Sequence, residues 1–132
     1  MGLKEKEKGA RGEKMLRDEL RRFGFGEVTR GFTWQGTSDL VGLPGIHVEC
    51  KFCEKLTVRQ ALLQAIEEAK KRLDGLPTVF WKMSRRPWVV IMLLDDWMEI
   101  YRDAMKYREE HKEEMEEQNG RETDVYQQNY RG

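Results

Sequence analysis

Two cysteines in 132 residues cannot build a disulfide framework, so the fold must rest on its core, as expected in a reducing compartment. No apolar run reaches the roughly 20 residues that crossing a bilayer needs. Met1-Gly2-Leu3-Lys4-Glu5-Lys6 lacks the apolar stretch of a signal peptide. A soluble, cytoplasmic protein without a membrane partner is therefore expected. There is no internal repeat, and no linker divides the core; the length suits one domain. That domain is expected over 1–117, ending in an acidic helix, with 118–132 too poor in apolar residues to fold.

An excess of charge is missing as well, since 24 Lys and Arg balance 24 Asp and Glu. The balance hides an asymmetry. Residues 1–90 hold 18 basic against 12 acidic side chains, a net of +6, while 91–132 hold 6 against 12, a net of −6. A basic body with an acidic extension points to a polyanion partner for the body. Lys8, Arg11, Arg30, Arg59, Lys82, Arg85 and Arg86 are the candidates for phosphate contacts, which give salt-dependent affinity with little sequence reading. Arg30 stands out, because its strand leads into the hairpin described next. Plain surface charge is the competing reading for each.

Residues 2–23 read as a helix, with Leu16, Leu20 and Phe23 at i, i+4 and i+7. The same stripe continued backwards reaches Glu13 and then Gly9, so a carboxylate projects from it. Gly24 and Gly26 end the helix. Strand character follows over 27–33, a turn over 34–37 and a second strand over 38–43. Pro44-Gly45 then leads into a third strand at 46–52. Thr57 is the expected N-cap of a helix with the apolar stripe Val58, Ala61, Leu62, Ala65, Ile66, Ala69 and Leu73, closed by Gly75 and Pro77. Strands over 78–83 and 88–94 flank a tight turn. Asp96 and Glu99 have capping-box spacing for a last helix packing through Trp97, Ile100, Tyr101, Ala104 and Met105. The order α-β-β-β-α-β-β-α predicts an α/β fold, a mixed sheet flanked by helices.

The most informative segment is the third strand. In Ile46-His47-Val48-Glu49-Cys50-Lys51-Phe52, alternation puts His47, Glu49 and Lys51 on one face and the apolar residues on the other. Asp39 lies ten residues before Glu49. Phosphodiester hydrolysis needs an activated water, neutralised phosphate charge and help for the leaving oxygen. Clustered carboxylates bind Mg²⁺, a hard ion that prefers oxygen, and bound water loses its proton readily. A neighbouring lysine can orient that water and offset charge in the transition state. Asp39, Glu49 and Lys51 form this set if their strands are neighbours, and Glu13 adds a third carboxylate.

Glu13 on the first helix, then Asp39 and Glu49-Cys50-Lys51, resembles the arrangement of PD-(D/E)XK nucleases. More narrowly, the chain resembles Holliday-junction resolvases of archaeal type and their phage-encoded relatives. The likeness runs through Lys8-Gly9-Ala10-Arg11-Gly12-Glu13, the stretch from Ser38 to Lys51, and Arg86-Pro87-Trp88, covering 8 to about 103. Ser38 stands where the family name has proline. The resemblance implies a restriction-endonuclease-like fold and a homodimer that resolves four-way DNA junctions by paired, Mg²⁺-dependent nicking, with Mn²⁺ able to substitute. It casts Asp39, Glu49 and the backbone carbonyl of Cys50 as metal ligands, Lys51 as base or stabiliser, and Glu13 as accessory acid. Gln64 takes the supporting glutamine's place, with Gln60 as its rival.

Plainer readings stand beside these. Glu49 and Lys51 also suit a solvated strand face, and Glu13 a helix acid paired with Arg17 at i+4. Cys50-x-x-Cys53 invites zinc or redox chemistry, yet His47 and His111 are the only histidines to complete a site, and Cys50 falls on the core side of its strand. His47, on the same face as Glu49 and Lys51, suits a DNA contact or a partly exposed histidine. Phe32 and Trp34 suit either a wedge at a junction centre or a dimer contact. The acidic extension suits packing across a dimer or restraint of nonspecific DNA binding.

Overall fold

A computed structural model describes residues 3–32 and 38–116, and of residues 3–6, 32, 38, 39 and 115 the backbone alone. The chain divides into two compact units at Met92–Leu93. The first holds α1 (Leu3–Arg22), β1 (Thr29–Phe32), β2 (Ser38–Val41), β3 (Ile46–Phe52), α2 (Val58–Arg72), β4 (Leu76–Lys82) and β5 (Val89–Ile91). The second holds α3 (Leu94–Glu110) and α4 (Lys112–Glu116).

The architecture is mixed α/β. β3 and β4 run parallel across the α2 connection, and β5 returns antiparallel to β4, giving a three-stranded mixed sheet in the order β3-β4-β5. β1 and β2 form a separate antiparallel hairpin, with Gly31 opposite Asp39. The short Pro44-Gly45 connection does bring β2 beside β3, but the two share no ladder among the described residues.

Two apolar clusters sandwich the sheet. On one side Leu16 of α1 meets Val28, Leu40, Val48 and Phe80. On the other, Ala61 and Ala65 of α2 cover Val79 of β4. The buried residues of α2 are all alanines, at 61, 65 and 69. Small residues four apart let a helix lie low on a sheet, and that closeness sets the reach of every side chain from α2 to β3. α1 comes as close through Gly12: a Cβ there would stand 2.7 Å from Phe52 Cβ. That contact carries Glu13 to the flank of β3.

Several local expectations change. Phe23 lies just past the end of α1 and is exposed, and the chain turns at the next residue, Gly24, at φ +104. Leu73 leaves the α2 stripe: it caps the helix in the left-handed region (φ 52) and is exposed. Pro77 closes no helix; it lies in β4 opposite His47. Thr57 occupies the N-cap of α2, but its side chain makes no capping bond.

In the second unit α3 starts at Leu94 with Leu93 as N-cap, so Asp96 is a first-turn acid and not a cap. A carboxylate there still complements the positive helix end. No residue of α3 is buried; along the expected packing stripe, Trp97 stacks on Tyr101 with ring centroids 5.0 Å apart. No described helix is long and apolar enough to cross a membrane. Trp34, the Phe32 side chain and the segment expected to stay unfolded from 118 lie outside the described residues.

Candidate functional site

Alternation along β3 and its parallel register with β4 decide which side chains meet. Glu49 pairs with Val79 and His47 with Pro77, so the odd-numbered polar row turns toward α2 while Val48 and Cys50 turn toward α1. The row is therefore not an open solvated face. The Glu49 side chain is 12% exposed, and Lys51, at 28%, reaches between a strand and a helix. Lys51 Nζ donates to Gln64 Oε1 at 3.0 Å and lies 3.4 Å from Glu49 Oε1. Of the two glutamine candidates, Gln64 is the one that accepts from Lys51. The lysine ammonium thus sits between a carboxylate and an amide oxygen supplied by two different elements.

His47 continues the row and corrects the expectation of partial exposure: it is 2% exposed. Its Nδ1 lies 2.9 and 3.0 Å from the two carboxylate oxygens of Asp74, a residue that sequence reasoning missed. His47 Nε2 is 3.8 Å from Glu49 Oε2 and has no hydrogen-bond partner among the described residues. Asp74 is 27 positions from His47, and only the α2–β4 loop brings it there. The Leu73-Asp74-Gly75 cluster, with its left-handed cap and turn glycine, was the available signal.

Glu13 pairs with Arg30, whose Nε donates to Glu13 Oε2 at 3.0 Å, and Arg17 pairs instead with Asp18. Arg30 is thereby engaged by Glu13. Glu13 and Glu49 both act on Cys50. Burial, reinforced by these two carboxylates and opposed by Lys51, pushes the Cys50 thiol up to about 12. Both cysteines are free, and a thiol held protonated gives neither the thiolate of a zinc site nor a redox nucleophile. Only the Cys50 carbonyl remains as a donor, a hard oxygen.

Asp39 lies on β2, and its side chain is outside the described residues. Among the described residues no three of His, Cys, Asp and Glu converge to hold a metal ion. The donors on hand, the Glu49 carboxylate and the Cys50 carbonyl, have the chemistry of a Mg²⁺ or Mn²⁺ set. Such ions rest on one or two carboxylates and keep several waters.

Three of the basic candidates gather at one point. Lys8, Arg11 and Lys82 stand over the Phe52 ring, their charged atoms 5.3, 5.7 and 5.7 Å from its centroid. An aromatic face tolerates such crowding because its quadrupole attracts cations. The Ser84 N–H donates to Glu54 Oε1 at 2.8 Å, tying the β4–β5 turn to the end of β3. Bonding from Ser84, aided by Lys8 and Lys82, holds the Glu54 carboxyl below its ordinary value. Arg85 (φ 62) and Arg86 are exposed on that turn, and Arg59 is exposed in the first turn of α2. Comparison with protein-family models, with curated proteins and with solved structures returns no match.

Proposed function

We propose that the chain is a metal-dependent endonuclease of the PD-(D/E)XK kind that cuts four-way DNA junctions, working as a homodimer that nicks paired strands. The observation that carries the reading is the Lys51 ammonium held between Glu49 and Gln64 on the covered face of β3. A surface lysine has no need of such a setting. Asp39, Glu49 and the Cys50 carbonyl would hold Mg²⁺ or Mn²⁺, with Glu13 as accessory acid. When bound, that ion supplies an acidified water and neutralises phosphate charge.

The side chains do the remaining work. Lys51 meets the charge that builds on the phosphate, and its bond to Gln64 keeps the ammonium aimed. Lys8, Arg11 and Lys82 around Phe52, with Arg85, Arg86 and Arg59, supply phosphate contacts that grip DNA without reading bases. Arg30 enters that group only on leaving Glu13, and so serves first to orient the acid. The restriction-endonuclease-like topology, with β2 beside β3, belongs to the same proposal.

A labelled four-way junction and a linear duplex of equal length, incubated with protein and Mg²⁺, test it. Paired cuts in the junction and an intact duplex are expected. Equal cutting of both removes junction selectivity and leaves a nuclease acting on flaps, ends or sites. Junction binding without cleavage in Mg²⁺ or Mn²⁺ makes the chain a nucleic-acid-binding module instead.

A further inference from the structure

We infer that His47, anchored by Asp74, is a positioning residue that fixes the Glu49 carboxylate from the side opposite Lys51. Its role in cleavage rests on the nuclease reading, whereas its hold on Glu49 does not.

The two oxygens of Glu49 face different neighbours: Oε1 is 3.4 Å from Lys51 Nζ, and Oε2 is 3.8 Å from His47 Nε2. The histidine ring is locked from behind, since both Asp74 oxygens lie within 3.0 Å of Nδ1. That leaves the Nε2 edge buried and directed at Glu49, without a hydrogen-bond partner among the described residues. A polar nitrogen abandoned in a packed interior costs free energy. With the Nδ1–H given to Asp74, Nε2 offers a lone pair, and one bridging water donating both to it and to the Glu49 oxygen 3.8 Å away completes the contact.

The backbone delivers Asp74 to this position and allows little drift. Leu73 N–H donates to Ala69 O at 2.8 Å in the left-handed cap, and Leu76 N–H donates to Gly45 O at 2.9 Å. Between them Gly75, at φ +129, passes so close to Gly45 that a Cβ would stand 2.3 Å from the Gly45 carbonyl carbon. The loop is pinned to the start of the strand that carries His47 one residue further on. Asp74, His47, Glu49, Lys51 and Gln64 thus form one continuous row, in which the α2–β4 loop anchors the histidine and α2 anchors the lysine on either side of Glu49. Partners behind a metal ligand orient it, and losing one weakens metal binding about 10- to 100-fold.

The test compares wild type, His47→Ala, Asp74→Ala and Asp74→Asn as full chains, by Mn²⁺ binding in electron paramagnetic resonance, by thermal melting and by junction cleavage across Mg²⁺ concentrations. Both alanine variants are expected to bind Mn²⁺ about tenfold more weakly and to need correspondingly more Mg²⁺. Asp74→Asn, which still offers an oxygen to the ring N–H, recovers most of the loss. Should His47→Ala fail to fold, the two variants of the partly exposed Asp74 carry the test alone. Lower melting temperatures with unchanged Mn²⁺ affinity and Mg²⁺ requirement would overturn the inference and make the pair purely structural. Mn²⁺ binding that depends on His47 in a protein that cuts no DNA sinks the nuclease reading and leaves the positioning role standing.

Discussion

On the α1 side of β3, Val48 and Cys50 meet Leu16, Val28 and Phe80; on the α2 side of the same seven residues, Lys51 meets Glu49 and Gln64, and His47 meets Asp74. One row is closed by dispersion and burial, the other by directed polar contacts under a helix that approaches through alanines. The contrast separates two jobs that share a strand. The apolar face holds β3 in place, and the polar face uses that rigidity to hold a carboxylate and an ammonium at fixed separation. Removing groups from one face should therefore cost stability, and removing them from the other should cost chemistry.

The sharpest break is Glu49→Gln. Cleavage of a junction substrate should fall on the order of 10³-fold with the melting curve nearly unmoved; a large loss of stability with activity retained would put Glu49 in the scaffold. Next comes Leu16→Ala on the opposite face, expected to lower unfolding free energy by ~2–5 kcal/mol in urea titrations while leaving the rate per folded molecule unchanged. Gly12→Ala probes how tightly α1 is applied to β3. With Phe52 Cβ 2.7 Å from the added methyl, a loss of ~1–3 kcal/mol is expected, and no loss would mean that the helix can retreat.

The smallest effect concerns the two thiols. Burial and the carboxylates around Cys50 raise it from an ordinary 9.0 to about 12, so it should resist a thiol reagent at pH 8 while Cys53 reacts. Cys53→Ser should then abolish most labelling; equal labelling of Cys53→Ser and Cys50→Ser would refute the burial. The sign of the linkage follows. A thiol held protonated by the fold contributes its full stability below about pH 9 and loses it as pH climbs toward 12. Cys50→Ala should lack that part of the alkaline decline.

Much of this was legible in the residues. Period-two alternation over 46–52 identified β3 and the division of its faces, and the Ala61, Ala65, Ala69 spacing marked the buried side of α2. Gln64 was named through the resemblance, with Gln60 as its rival, and helix position alone did not choose between them. What stayed hidden depended on where the chain turns. Asp74 reaches His47 only because Leu73 takes a left-handed cap and Gly75 touches Gly45, and no periodicity encodes a contact 27 residues long. Glu13 had an obvious i+4 partner in Arg17 and took Arg30 from another element. Pro77 read as a stop and lies in a strand, since a β-strand tolerates proline where no ladder donor is required. Asp96 and Glu99 had capping spacing, but the helix began two residues earlier at Leu94.

The central claim is that the polar row under α2 cuts phosphodiester bonds. The most direct measurement incubates a labelled four-way junction with wild type and with Lys51→Ala, each in Mg²⁺ and in Mn²⁺, while binding is followed in parallel. Wild type should cut with either ion, and Lys51→Ala should bind the junction as tightly yet cut at least about a hundredfold more slowly. If both proteins bind alike and neither cuts with either ion, the row under α2 is no nuclease site.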